Sequence, residues 1–199
     1  VKITIIVEGR TERAFIPYLR AYLKPILGDR MPKLDPLPQD GRIPTGGKLK
    51  RLVENLLRGK NASDHVIALT DVYTGTHPCE FLDAADAKSK MRQWVGDEPR
   101  FHPHAAQHDF EAWLLPYWPK IQKLAGSNRK RPSGNPEQIN HDKPPAYHLK
   151  ELFEAGSCRD SYSKPRDAGR ILRDNDLSTA ISECQELKLL IDTIIDICS

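Results

Sequence analysis

The sequence is poor in the features that would settle its class at once. Its four cysteines, Cys79, Cys158, Cys184 and Cys198, are scattered and form no CxxC pair, which argues against a zinc ribbon or a dithiol redox motif. Free thiols in a reducing cytoplasm are the simplest account. No apolar run is long enough to cross a bilayer. The stretch 187–198 is apolar but short, and Glu186, Lys188, Asp192 and Asp196 flank or interrupt it. Nothing has the pattern of a signal peptide, so the expectation is a cytoplasmic protein without membrane association. No charge of one sign dominates: 30 Lys and Arg stand against 27 Asp and Glu, a net charge of +3. That balance is too weak by itself to argue for nucleic acid. There is no GxxxxGK(S/T) pattern, hence no P-loop, and no internal repeat.

What is present suits one globular α/β domain, with or without a small appendage: 199 residues, 39% of them hydrophobic. Residues 2–7 (KITIIV) are continuously apolar and β-branched, the pattern of a strand buried on both faces. Gly9 breaks the run. Thr11 is a plausible N-cap for a helix over 12–27 with Phe15, Ile16, Leu19, Leu23 and Ile26 on its apolar face, and Gly28 could end it. Pro17 falls in its early turns. Residues 31–47 are rich in proline and glycine, with a short edge strand over 33–37. A helix follows over 48–57, then a second buried strand over 65–69 ending at Thr70-Asp71. Strand, helix, loop, helix, strand favours a mainly parallel sheet with helical crossovers. A helix over 80–95, a short strand over 100–106 and a helical segment over 109–117 come next. Residues 126–145 have the composition of a surface loop. Helices over 147–153, 165–172 and 177–197 close the chain, with Pro165 in a first-turn position and Ser178 as N-cap.

The carboxylates fall at telling places. Glu8 follows the first strand and Asp71 the second, and in open α/β sheets ligands bind beyond the carboxyl ends of strands. Glu12, in the first turn of the helix, can face the same pocket. Asp109 and Glu111 follow a third strand and could join it. A hard Mg²⁺ (or Mn²⁺) ion takes such oxygen ligands. Phosphodiester cleavage uses such an ion to activate water and to offset charge on the phosphate and the leaving oxygen. The bland readings are a dipole-favoured glutamate for Glu12 and a turn former for Asp71. Glu8 resists them, because a charge between a buried strand and a glycine needs a partner or water.

These residues resemble a known family. Strand-Glu-Gly-x-(Ser/Thr)-Glu opens the Toprim domain shared by topoisomerases, DnaG-type primases and OLD-family nucleases, and Val7-Glu8-Gly9-Arg10-Thr11-Glu12 fits it. More closely, the chain resembles the bacterial domain of unknown function 4276 family over essentially its whole length. The matching blocks are 6–12, Ala68-Leu69-Thr70-Asp71-Val72-Tyr73, 108–115, Asp142-Lys143-Pro144-Pro145, Tyr162-Ser163-Lys164 and a closing helix pair around Cys184. The resemblance implies a Toprim-like (Rossmann-like) α/β fold and Mg²⁺ binding. It further implies an ABC-type or AAA ATPase partner in an anti-phage system. Matched by position, it gives Glu8, Glu12, Asp71 and Glu111 as metal ligands, with Asp109 as a further one. Lys164 becomes the basic residue at the scissile phosphate. Tyr73 stands where a Toprim enzyme places the second aspartate of its Asp-x-Asp pair.

The expectation is therefore a Toprim-like α/β core over 1–125, a loop or linker over 126–146 and a helical C-terminal extension over 147–199. Its function would be a metal-dependent nuclease acting on DNA or RNA, catalytic through Glu8 and Lys164, with Tyr73 and His108 supporting the site. Lys48, Lys50, Arg51 and Arg166 belong to basic clusters able to neutralise phosphates. A homo-oligomer is allowed. The rival is a Toprim-like binding or regulatory subunit without turnover, which Tyr73 favours. A histidine–zinc cluster at His102, His104 and His108 is disfavoured by Pro103 and by the lack of nearby cysteine. Trp94, Trp113 and Trp118 are assigned to packing rather than base stacking.

Overall fold

The computed structural model describes residues 1–73, 79–139, 143–158 and 161–199. Asp142 of the resemblance, and three residues of the expected 126–146 loop, lie outside the described residues. Among the described residues four strands form one sheet: β1 (Lys2–Val7), β2 (Lys33–Pro38), β3 (His65–Asp71) and β4 (Phe101–Ala106). Their order is β2-β1-β3-β4, and every neighbouring pair is parallel. The expected mainly parallel α/β sheet is thus parallel throughout.

Burial explains why β1 and β3 read as unbroken apolar runs. Ile3, Ile5, Val7, Ile67, Leu69 and Ala106 pack on one face against α1 (Arg10–Leu27) and the C-terminal helices. Ile6, Val66, Ala68, Phe101 and Ala105 pack on the other, against α2 (Gly46–Arg58) and α3 (Ala84–Val95). A strand covered on both sides is mostly apolar rather than apolar at alternate positions, and the buried Thr4 of β1 is paired with the Ser63 hydroxyl at 2.6 Å.

Helix ends differ from the sequence-based reading for identifiable reasons. The N-cap of α1 is Gly9, not Thr11, and the Gly9 N–H donates to Glu12 Oε2 at 3.0 Å. A glutamate that reaches back in this way satisfies the backbone N–H of the cap residue itself. Pro17 and Pro25 both sit inside α1 on its exposed side, where solvent can serve the carbonyls they leave unpaired. Leu27 is buried in place of Ile26, which is exposed. α3 starts at Ala84, capped by Asp83, whose carboxylate accepts from the Asp86 N–H at 2.8 Å.

After β4 the chain enters a 3₁₀ segment, Phe110–Tyr117, in which all eight residues are buried. Trp113 is its anchor, packed edge-on against Phe110 and near Phe15. A helix absent from the expectation, α4 (Trp118–Ala125), follows directly. Then come α5 (Pro145–Ala155), α6 (Lys164–Leu172), α7 (Leu177–Glu183) and α8 (Gln185–Ile197). The single closing helix expected over 177–197 is broken at Cys184, which is extended and fully buried. Asp176, not Ser178, caps α7 by accepting from the Ser178 N–H at 2.9 Å. Glu137 explains the break: its carboxylate accepts from the Trp113 indole N–H at 3.1 Å and from the Glu186 N–H at 3.0 Å. A distant carboxylate thereby serves the first turn of α8 and ties it to the 3₁₀ segment. Among the described residues no helix is long and apolar enough to cross a membrane.

The strand order places the functional edge. From β1 the chain crosses by α1 to β2 on one side, then by α2 to β3 on the other. The order reverses between β1 and β3, so the loops leaving these two strands part and open a crevice there.

Candidate metal and phosphate site at the strand ends

Glu8 leaves β1 and Asp71 ends β3, on the two strands that flank the reversal. Both are 5% exposed. Glu8 is held by three donors: the Thr70 hydroxyl at 2.6 Å and the Asp71 N–H at 3.0 Å on Oε1, and the Tyr73 hydroxyl on Oε2. Burial raises the Glu8 pKa above the usual carboxylate range, and those hydrogen bonds and the nearby Arg42 work against the rise. Burial also raises Glu12, with Glu8 and Glu111 adding to it. Asp71 is pushed well above its ordinary value, first by burial and then by repulsion from Glu8, Asp109, Glu12 and Glu111.

The third strand end contributes through a turn. Tyr73 and His108, shortly after β3 and β4, both adopt left-handed backbone at φ 53° and 70°. That conformation costs a residue with a side chain roughly 1–2 kcal/mol. The two turns are tied together, because the Tyr73 N–H donates to the His108 carbonyl at 2.9 Å. Beyond them Glu111 lies at the start of the 3₁₀ segment, fully buried. It accepts from the Tyr162 hydroxyl and from Lys164 Nζ, both at 3.2 Å. Lys164 begins α6, which packs on α1 and is pinned by the Tyr18 hydroxyl donating to the Gly169 carbonyl at 2.8 Å. Burial opposes the Lys164 charge, but Glu111, Asp109 and Asp71 raise its pKa overall.

An open cleft of about 170 Å³ is lined by Glu8, Gly9, Thr11, Glu12, Gly41, Asp71, Tyr73, Glu111 and Lys164. Among the described residues four carboxylates and one ammonium share it. Asp109 does not line it. It is buried near Glu111, where Oδ2 accepts from the Ala146 N–H at 3.1 Å and, among the described residues, the buried Oδ1 has no hydrogen-bond partner. Burial and Glu111 push its pKa up to about 8, against the pull of Lys164. His108 is fully buried and also off the cleft wall. Lys48, Lys50 and Arg51 lie exposed on the first turns of α2, which starts after the loop that contributes Gly41. Arg166 instead turns back onto its own helix, donating to Asp167 at 3.0 Å and to the Ser161 carbonyl at 2.9 Å.

The donor chemistry suits a hard divalent cation: carboxylate oxygens only, crowded and buried, with one lysine against them. Among the described residues no three Asp, Glu, His or Cys side chains stand ready as a set around one ion. Hydrogen bonds turn Glu8 toward Thr70 and Tyr73, Glu12 toward Gly9, and Glu111 toward Tyr162 and Lys164. The residues fit the group in kind, and side-chain rotation must complete the arrangement. Thr70, Tyr162 and Arg42 are site neighbours that motif reading left without a role. Arg42 had a signal, since the loop after any strand parallel to β1 must emerge at the edge that carries Glu8.

A family profile described as Domain of unknown function (DUF4276) matches residues 7–195. The chain belongs to this family. Among solved structures, this DUF4276 chain is similar to the C-terminal region of the Burkholderia pseudomallei OLD protein, with a TM-score of 0.55 and 15% identity. That match covers 100% of this chain and 98% of the other. The C-terminal region of the Xanthomonas campestris pv. campestris OLD protein matches at TM-score 0.45 and 16% identity, covering 98% and 95%. Among curated proteins no sequence matches. At such identity the Burkholderia likeness speaks for the fold, and it agrees with the Toprim-like α/β architecture.

Proposed function

We propose that this DUF4276 chain is a metal-dependent phosphodiesterase that cleaves nucleic acid. The observation that carries the reading is the convergence of carboxylates from three strand ends, with one lysine, on a single cleft. Glu8, Glu12, Asp71 and Glu111 would hold Mg²⁺ or Mn²⁺. Such an ion supplies charge neutralisation at the phosphate and activation of the attacking water. Lys164, on the same cleft, sets its ammonium against the negative charge that develops on the phosphate oxygens. Glu111 holds that ammonium in place. Asp109, off the wall, would add its negative charge to the field that holds the Lys164 ammonium. Thr70 and Tyr73 fix the Glu8 carboxylate, as hydroxyl donors do for ligating carboxylates. An ABC-type or AAA ATPase partner and an anti-phage setting are supported by the resemblance to OLD-like nucleases alone.

One observation favours a second reading, a binding or regulatory subunit without turnover: three protein donors already satisfy Glu8, and Tyr73 replaces a carboxylate. The test is cleavage of DNA and RNA with Mg²⁺ or Mn²⁺ by the wild type and by Glu8→Ala, with and without an ATPase encoded beside it. Loss of on the order of a hundredfold in the variant is expected for an essential electrostatic group. Cleavage that persists unchanged in Glu8→Ala overturns the assignment. A wild type that binds the ion and never cleaves favours the second reading.

A further inference from the structure

A cleft with four carboxylates repels the phosphodiester it is proposed to cut, so the rim must supply attraction. Lys164 is already committed to Glu111. Among the described residues Arg42, on the loop between β2 and α2, is a cation whose charge acts on Glu8. Its guanidinium lies over the Tyr73 ring, 4.6 Å from the centroid, and the same Tyr73 donates its hydroxyl to Glu8. Arg42 is exposed, and its one ion pair among the described residues is a long contact of 3.8 Å with Glu80. Among the described residues it donates no hydrogen bond. Arg42, Thr45, Asp71, Tyr73 and Glu80 line a small hollow that adjoins the acidic cleft across Asp71 and Tyr73.

We infer that Arg42 is a phosphate-binding residue, holding a backbone phosphate of a nucleic-acid strand next to the one presented to the acidic cleft. A guanidinium stacked on an aromatic face keeps its N–H edge free for in-plane, two-pronged contact with phosphate oxygens. Stacking also removes part of the ordering cost a lone arginine would meet on binding. Tyr73 is held by its backbone bond to His108 and by its hydroxyl on Glu8. The platform beneath Arg42 is therefore fixed relative to the proposed metal ligands. Lys164 lines the acidic cleft and Arg42 the adjoining hollow, and the two share Asp71 and Tyr73, which suits an extended strand with successive phosphates. The inference rests on the nuclease reading for its substrate class, and its test separates the two.

Binding is measured by fluorescence anisotropy in EDTA, without turnover, using fluorescein-labelled single-stranded DNA, duplex DNA and RNA of equal length. The proteins compared are the wild type, Arg42→Ala, Arg42→Lys and Glu80→Gln. We expect Arg42→Ala to weaken binding about tenfold on the preferred probe, the size of one charge-assisted contact, and to lower the salt slope by about one unit. Arg42→Lys falls between, and Glu80→Gln binds at least as tightly as wild type. Mn²⁺ affinity of Arg42→Ala, read by electron paramagnetic resonance, matches that of the wild type. Unchanged binding and salt slope in Arg42→Ala overturn the inference while leaving the metal site standing. Equal loss in Glu80→Gln overturns it in favour of a structural ion pair. A wild type that binds none of the probes overturns the inference, and the nuclease reading, which needs the metal, is then decided by the cleavage test. A wild type that binds probe through Arg42 but takes up no Mn²⁺ supports the inference and overturns the metal reading.

Discussion

Replacing Asp71 by asparagine isolates the electrostatic cost of the cleft from its use. Asp71 is 5% exposed, and burial together with Glu8, Asp109, Glu12 and Glu111 makes its charged form unfavourable. Its backbone N–H donates to Glu8 and is unaffected by the change. Asparagine keeps the volume and removes the charge. Relieving one poorly compensated buried group returns about 1–3 kcal/mol. In a chain of this length each kcal/mol moves Tm by roughly 2–4 °C. The metal-free variant should therefore melt a few degrees above the metal-free wild type. The ion acts in the opposite sense: at a concentration of about 100 Kd it stabilises a native state that alone binds it by about 2.7 kcal/mol, or roughly 5–10 °C here. We expect Mn²⁺ or Mg²⁺ to raise the wild-type Tm by that order and to leave Asp71→Asn nearly unmoved. Differential scanning fluorimetry against a metal titration, with EDTA as baseline, measures both. A variant less stable than wild type in EDTA would show that Asp71 is a structural partner, not a strained ligand. A full metal shift retained in the variant would remove Asp71 from the site.

Two further outcomes follow from parts of the fold away from the cleft. His104 is 6% exposed, and burial lowers its pKa to about 3 from 6.5, with Lys88 and His102 adding to the shift. Below pH 6.5 the unfolded chain binds a proton there that the folded chain refuses, so stability is full above 6.5 and falls as pH drops toward 3. Urea midpoints should show a loss of about 2 kcal/mol from this group between pH 7 and pH 5; if His104→Leu has the same pH slope as wild type, the histidine is not the cause. At the junction of α4 and α5, a Cβ on Gly156 would stand 1.8 Å from the Ala125 carbonyl oxygen. Gly156→Ala should cost about 1–3 kcal/mol or more, read as a lower urea midpoint, and an unchanged midpoint would mean that the two segments separate freely there.

Motif and periodicity made the first half of the fold legible. A strand buried on both faces leaves no polar alternation, so 2–7 and 65–69 could be read as central parallel strands before any packing was known. Glu8 and Asp71 were legible for the same reason, as charges at the ends of such strands. The later elements were harder, because what shapes them is not local. Glu137 breaks the helix expected over 177–197 by serving the first turn of α8 from far along the chain. The 3₁₀ segment Phe110–Tyr117 is buried on all sides, so it carries no one-sided apolar stripe to reveal its form.

The sequence by itself determined the class of the protein and the kind of chemistry its strand ends can hold. Those follow from residue type and spacing, which act locally. Only the tertiary structure decided which carboxylates face the cleft. It put Glu111 on the wall with Lys164 and left Asp109 off it, turned Arg166 back onto Asp167, and stacked Arg42 over Tyr73 beside Glu8. The reason is physical: orientation toward a shared point depends on register between strands and on packing of helices distant in sequence, neither of which any single segment encodes.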